Sequence, residues 1–281
     1  MPPPPIIITP GEPAGIGVEI ALKAWLSGER NFCLMGDPKH VVKTARSIGA
    51  TLSFYEIEHP SLIEHESPNL AIIPSSWSNA PVNGCPDPKN APQIIDAIHR
   101  AVDWTQSGYA NGIVTNPIQK SCLYQAGFAF PGHTEYLASL ATTSPGGPLM
   151  MLACEELRVV PATTHIALSK VSQNISINLI IEKCTLLNEC LKTNFGITDP
   201  RIVICGLNPH AGEDGKMGHE DKQIISPAVQ KLLAKGIDVT GPHPSDTLFH
   251  EKARKKYDAV LGMYHDQVLI PLKTIDFFGG I

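Results

Sequence analysis

Three histidines follow short apolar runs in the same way. Leu157-Arg158-Val159-Val160 leads through Pro161-Ala162-Thr163-Thr164 to His165; Ile202-Val203-Ile204 leads through Gly206 and Asn208-Pro209 to His210; Ala259-Val260-Leu261-Gly262-Met263-Tyr264 leads to His265, with Asp266-Gln267 behind it. Runs rich in β-branched residues suit strands buried on both faces, and Gly or Asn-Pro stops them. Each histidine is thus expected on a loop just past a strand's end, the edge where open α/β sheets bind ligands. If the three strands are parallel neighbours, three imidazoles converge on one rim. Three His is a ligand set for a catalytic divalent metal with one coordination position left open. The bland alternative is three unrelated histidines, each satisfying its own loop. The repeated order, strand and then His, favours the metal site.

The elements that must carry these residues alternate through most of the chain. Ile6-Ile7-Ile8 reads as a strand, followed by the tight loop Thr9-Pro10-Gly11-Glu12-Pro13-Ala14-Gly15-Ile16-Gly17 and a helix from Val18. Such a loop can hold an anion on its backbone amides; equally, its glycines can serve a turn. It is neither a dinucleotide fingerprint, since Ile20 stands where a further Gly is needed, nor a P-loop. The spacing predicts helices over 38–48, 91–105, 175–193 and 220–234, and strands over 32–37, 52–55, 70–74, 112–117 and 237–239. Residues 149–153 and 158–160, joined at Glu155-Glu156, read as an antiparallel excursion. Gly132-His133-Thr134-Glu135 opens a further helix, where His133 or Thr134 serves as a cap or as a substrate contact. His40, His59, His65 and His99 read as surface residues, and His243 between two prolines as structural; Asp246 falls on a strand-end loop. The alternation predicts an α/β/α fold with a mostly parallel sheet.

Composition narrows the function. A length of 281 residues suits one large or two medium domains, and 43% hydrophobic with 17% charged residues describes an ordinary globule. A net charge of -5 without a basic block disfavours nucleic acid and anionic membrane partners. No apolar run reaches the roughly 18 residues of a membrane helix. Seven scattered cysteines without a C-x-x-C pair predict reduced thiols and a cytoplasmic location.

Six motifs in order carry a resemblance: the Thr9–Gly17 loop, Phe130-Pro131-Gly132-His133-Thr134-Glu135, Ala162-Thr163-Thr164-His165, Gly206-Leu207-Asn208-Pro209-His210-Ala211-Gly212-Glu213, Ser245-Asp246-Thr247 and Met263-Tyr264-His265-Asp266-Gln267. Together, and over the chain from Ile6 onward, they resemble the 4-hydroxythreonine-4-phosphate dehydrogenase family of pyridoxal phosphate (vitamin B6) synthesis. The resemblance implies two α/β/α domains flanking a cleft, similar to isocitrate and isopropylmalate dehydrogenases. It places residues 1–125 plus 267–281 in the first domain, and 126–266 in the second with the metal ligands and dimer interface. It implies a homodimer in which His165 and His210 bind the metal together with His265 of the partner subunit. It implies His133, Thr134 and Lys273 as substrate contacts. The family continues past the final Gly279-Gly280-Ile281 with an Asn and an Arg that contact substrate, so a truncated first domain is expected.

The reaction implied is NAD-dependent (or NADP-dependent) oxidation of 4-phosphooxy-L-threonine to a β-keto acid that loses CO₂, with Zn, Mg or Co as the metal. His133, Asp246, Asp266 and Lys273 are the candidate proton handlers and orienters. Lys273 and the Gly11–Gly17 loop are candidates for the phosphate. No residues are assigned to NAD, because no nucleotide fingerprint is present. The alternatives are a paralogue acting on erythronate or threonate 4-phosphate, a zinc hydrolase, and a catalytically silent binding protein.

Overall fold

The computed structural model describes residues 2–141 and 148–281, which fall into two compact units, Met1–Ser144 and Pro145–Ile281.

The first unit carries a five-stranded, all-parallel sheet in the order β3-β4-β2-β1-β5, built from β1 (Ile6–Thr9), β2 (Phe32–Gly36), β3 (Phe54–Glu56), β4 (Leu70–Pro74) and β5 (Gly112–Thr115). Successive strand residues point to opposite faces, so the sheet feeds two cores. Ile8, Leu34 and Ile72 pack with α1 (Gly17–Leu26) and α2 (Pro38–Ser47). Ile7, Cys33, Ala71 and Ile73 pack with α3 (Ala91–Gln106) on the other side. Two short helices follow, α4 (Lys120–Gln125) and α5 (His133–Leu140).

Residues 126–141 belong to this unit and not to the second, contrary to the boundary expected from the sequence. The reason is apolar: Phe128, Phe130 and Tyr136 pack against one another and against Ile94, Ile98 and Leu123. His40 is buried rather than a surface residue, because α2 turns it inward.

The second unit has a mixed sheet, β6-β7-β10-β8-β9, from β6 (Leu152–Cys154), β7 (Leu157–Thr163), β8 (Ile202–Cys205), β9 (Val239–His243) and β10 (Ala259–Tyr264). The expected antiparallel excursion is β6 against β7; every other pairing is parallel. Val160, Ile202, Ile204 and Leu261 face α7 (Ile177–Thr193) and α8 (Ser226–Ala234). Val159, Val203 and Val260 face Val268, Leu269 and Leu272 of α10 (His265–Ile275). The short α6 (Val171–Asn174) and α9 (Glu251–Arg254) complete the unit.

Because α10 lies on this sheet and Ile281 exchanges backbone hydrogen bonds with Ala153, residues 267–281 join the second unit here rather than the first. Among the described residues no helix is long and apolar enough to cross a membrane, and all seven cysteines are free.

Candidate active site at the strand ends of the second unit

Four parallel strands, β7, β10, β8 and β9, end on the same edge, so the sequence-selected residues are delivered to one rim. His165 lies two residues beyond β7, His210 in the turn after β8, Asp246 in the turn after β9, and His265 directly after β10. The strand neighbours are those on which convergence depended: β10 lies between β7 and β8. Thr163 Oγ1 donates to the Met263 carbonyl at 2.7 Å and ties the ends of β7 and β10 together. His265 differs from expectation in one respect: it is the first residue of α10, with no intervening loop.

The rings of His165 and His265 lie 5.7 Å apart, centroid to centroid, and line a cavity of about 230 Å³ with Thr164, Tyr264 and Asp266. His210 opens into a larger cavity of about 620 Å³ with Asn208, Ser245, Asp246, Asp266 and Gln267. Tyr264 and Asp266 line both cavities, so the two adjoin. His165 and His210 are exposed and His265 is half-buried. The described residues assemble no group of three His, Cys, Asp or Glu side chains able to hold a metal ion. His165 and His265 are thus neighbours, and His210 is not gathered with them into such a group.

The donors present nevertheless suit a metal. His265 Nδ1 stands 2.7 Å from Asp266 Oδ1. An ionised carboxylate only accepts, so Nδ1 is the donor in this contact, and in the neutral imidazole Nε2 then has the free lone pair that ligation needs.

The turn bearing His210 is held in an uncommon conformation. His210, Ala211, Glu213 and Asp214 have φ of 53°, 52°, 41° and 56°. Left-handed backbone costs a non-glycine residue roughly 1–2 kcal/mol, so the surroundings must hold the turn in place. Such a conformation at a candidate ligand is what a functional site stores.

His133 and Thr134 form the first turn of α5. Gly132 occupies the cap position with no side-chain capping bond, so neither residue is the cap that the sequence allowed. His133 is half-buried and its Nε2 has no hydrogen-bond partner among the described residues. Burial first, and the nearby Lys120 ammonium second, hold its imidazole pKa below the ordinary value. Lys273 lies in the last turn of α10, with its ammonium 5.5 Å from the Phe277 ring, and lines neither cavity.

In the Gly11–Gly17 loop the glycines answer to packing. A Cβ on Gly11 would lie 2.5 Å from the Pro117 carbonyl oxygen. The Ala14 and Gly15 amides are already taken by Glu12, through its carboxylate at 3.0 Å and its carbonyl at 2.9 Å. Those two amides are not free for a phosphate. The buried Glu12 carboxyl is pushed up, chiefly by desolvation.

Sequence reasoning missed two residues of this rim, Asp221 and Gln267. Asp221 is buried and bonds the backbone ahead of His210, and Gln267 bridges three strand ends. One signal was available for Asp221: a charged residue in register with Ile225, Ala228 and Leu232 on the apolar face of its helix.

A parallel α/β protein whose strand ends gather imidazoles and carboxylates belongs, on its comparisons, among the oxidoreductases of pyridoxal phosphate biosynthesis. Residues 29–281 match the family described as pyridoxal phosphate biosynthetic protein PdxA, and the chain belongs to that family. A relative from Methylorubrum populi, named 4-hydroxythreonine-4-phosphate dehydrogenase, is 46% identical over 99% of this chain and 82% of its own length. The crystal structure of the enzyme of that name from Klebsiella pneumoniae superposes with a TM-score of 0.91 at 33% identity, covering 98% of this chain and 84% of that one. The corresponding structure from Burkholderia phymatum gives 0.88 at 34% identity, with the same coverage of 98% and 84%.

Proposed function

We propose that the chain catalyses NAD-dependent (or NADP-dependent), divalent-metal-dependent oxidation of 4-phosphooxy-L-threonine to 2-amino-3-oxo-4-phosphooxybutanoate, which decarboxylates to 3-amino-2-oxopropyl phosphate. The observation that carries this reading is the gathering of His165, His210, His265, Asp246 and Asp266 at one sheet edge in a chain 46% identical to a protein named for that dehydrogenase activity. The proposal includes a fold of the isocitrate and isopropylmalate dehydrogenase kind. It also includes a homodimer in a cytoplasmic setting, with His265 of the partner subunit completing the ligand set of His165 and His210.

When bound, a divalent ion (Zn, Mg or Co) supplies Lewis acidity to the substrate hydroxyl, and the nicotinamide accepts the hydride. The chain's own groups do the rest. Asp266 fixes the His265 tautomer through Nδ1. Asp246 and Asp266 flank the cavity into which His210 opens, and either can accept the hydroxyl proton. His133, held neutral, and Thr134 contact substrate at the start of α5, and Lys273 contributes a cation for the phosphate.

The test is nicotinamide reduction on 4-phosphooxy-L-threonine, before and after chelation, with erythronate and threonate 4-phosphates as competing substrates. Reduction that is fastest on phosphooxythreonine and abolished by chelator supports the proposal. Faster turnover of an erythronate or threonate ester assigns the paralogous activity, and phosphate release without nicotinamide reduction assigns a hydrolase.

A further inference from the structure

The functional reading leaves unused the ring of hydrogen bonds around the backbone that leads into His210. Asp221 is 1% exposed and joins no ion pair among the described residues. Its Oδ1 accepts the Leu207 amide at 2.8 Å. Its Oδ2 accepts the Asn208 amide at 3.1 Å and Asn208 Nδ2 at 2.8 Å. Asn208 Nδ2 also donates to Glu220 Oε2 at 2.9 Å.

Gln267 grips the preceding residue. Its Nε2 donates to the Gly206 carbonyl at 2.7 Å and to Ser245 Oγ at 2.8 Å, while its Oε1 accepts the Met263 amide at 2.6 Å. Three consecutive residues, 206 to 208, are thus held by side chains from elsewhere in the unit. A Cβ on Gly206 would lie 2.7 Å from Asp221 Oδ1, so this approach needs the glycine. Asp221 opens a π-helical turn, Asp221–Ile225, whose backbone carbonyl is closed by the amide and hydroxyl of Ser226. Single π turns recur at functional sites because they re-aim a side chain.

The left-handed residues 210–214 come immediately after the gripped segment. Neutral donors around a buried carboxylate satisfy it only when all of them are in place, so the network is either whole or costly. We propose that Asp221 is a positioning residue: through the Leu207 and Asn208 amides it holds His210 in its left-handed conformation, with Gln267 fixing the Gly206 carbonyl. Its activity arm rests on the dehydrogenase reading above; its exchange arm does not.

The experiment compares Asp221→Asn, Asn208→Ala and His210→Ala with the unaltered full chain, by amide hydrogen exchange of residues 206–218 and by steady-state kinetics. For Asp221→Asn, loop exchange is expected to rise and kcat to fall about 10–100-fold, with KM for the nicotinamide cofactor unchanged. Amides of β8 and β10 keep their protection. Asn208→Ala keeps the carboxylate and shows smaller changes in the same direction, which preserves the test if Asp221→Asn does not fold. His210→Ala loses turnover without faster loop exchange. Exchange rising uniformly across the second unit assigns Asp221 a general structural role and overturns the proposal. Unchanged loop exchange, or faster loop exchange with full kcat, overturns it as well. Absence of turnover in the unaltered chain refutes the dehydrogenase reading and leaves the exchange result to decide the positioning claim.

Discussion

His165 and His265, a hundred residues apart in the chain, have ring centroids 5.7 Å apart because β7 and β10 run side by side and end together. Two imidazoles thus stand side by side on one rim, and one of them, His265, contacts a carboxylate through Nδ1 at 2.7 Å. Both rings line the smaller cavity, and His210 lines the larger one together with the shared Tyr264 and Asp266.

The carboxylate that orients His265 gives a first expectation. Replacing Asp266 with Asn exchanges an acceptor-only carboxylate for a neutral amide that can accept or donate, so the partner of Nδ1 no longer fixes where the proton lies. Loss of such a partner typically weakens metal affinity about 10–100-fold. A Co²⁺ titration of the two proteins checks this. Equal affinities would show that the 2.7 Å contact does not tune His265 as a ligand.

His133 gives a second. Burial, and then Lys120, hold its imidazole below the ordinary value, so it is neutral in the folded protein at pH 7. The unfolded chain binds that proton first, so this group's contribution to stability is present above the unfolded value of about 6.5 and is lost as pH falls through it towards the folded value. In a histidine NMR titration the His133 midpoint is expected below about 6.5. Lys120→Gln moves it upward but leaves it depressed, since burial is the larger cause. An unmoved midpoint in that variant removes Lys120 from the account.

A third concerns the opposite edge of the second sheet. Arg201 and Asp258 pair through two guanidinium contacts at 3.1 and 3.0 Å, and the Arg201 amide adds a third bond at 2.8 Å. Hydrogen bonding from Arg201 holds the Asp258 carboxyl below its usual range. Arg201 is nearly half exposed, so screening limits Asp258→Asn to a cost of roughly 1 kcal/mol at pH 7. A depressed carboxyl contributes stability above its unfolded value and loses it as pH falls through the folded one. The gap in urea midpoint between the two proteins should therefore close as pH drops below about 4. A gap that persists in acid would show that the loss is packing and not charge.

Much of the fold was legible from periodicity. Ile202-Val203-Ile204 is β-branched and bounded by a stop, and it and the apolar runs before His165 and His265 each became a strand in the expected parallel arrangement. The antiparallel β6 was legible from the short Glu155-Glu156 turn. Unit boundaries were less so, because they depend on long-range contacts: Phe128 and Tyr136 go with Ile94 and Ile98, and Leu272 goes with Val203. His40 looked like a surface residue by its polar neighbours and is buried by the angle of α2. The roles of Asp221 and Gln267 escaped notice because most of their partners are backbone groups, which every residue carries; only the place of Asp221 on an apolar helix face hinted at a buried carboxylate.

The central claim, that His165, His210 and His265 serve one metal ion, is met most directly by an anomalous scattering map of the protein crystallised with Zn²⁺. The account predicts one peak about 2.0–2.1 Å from His165 and His210 nitrogens, with His265 of the partner subunit as the third ligand. A map with no peak there, or with the metal held by other side chains, contradicts it.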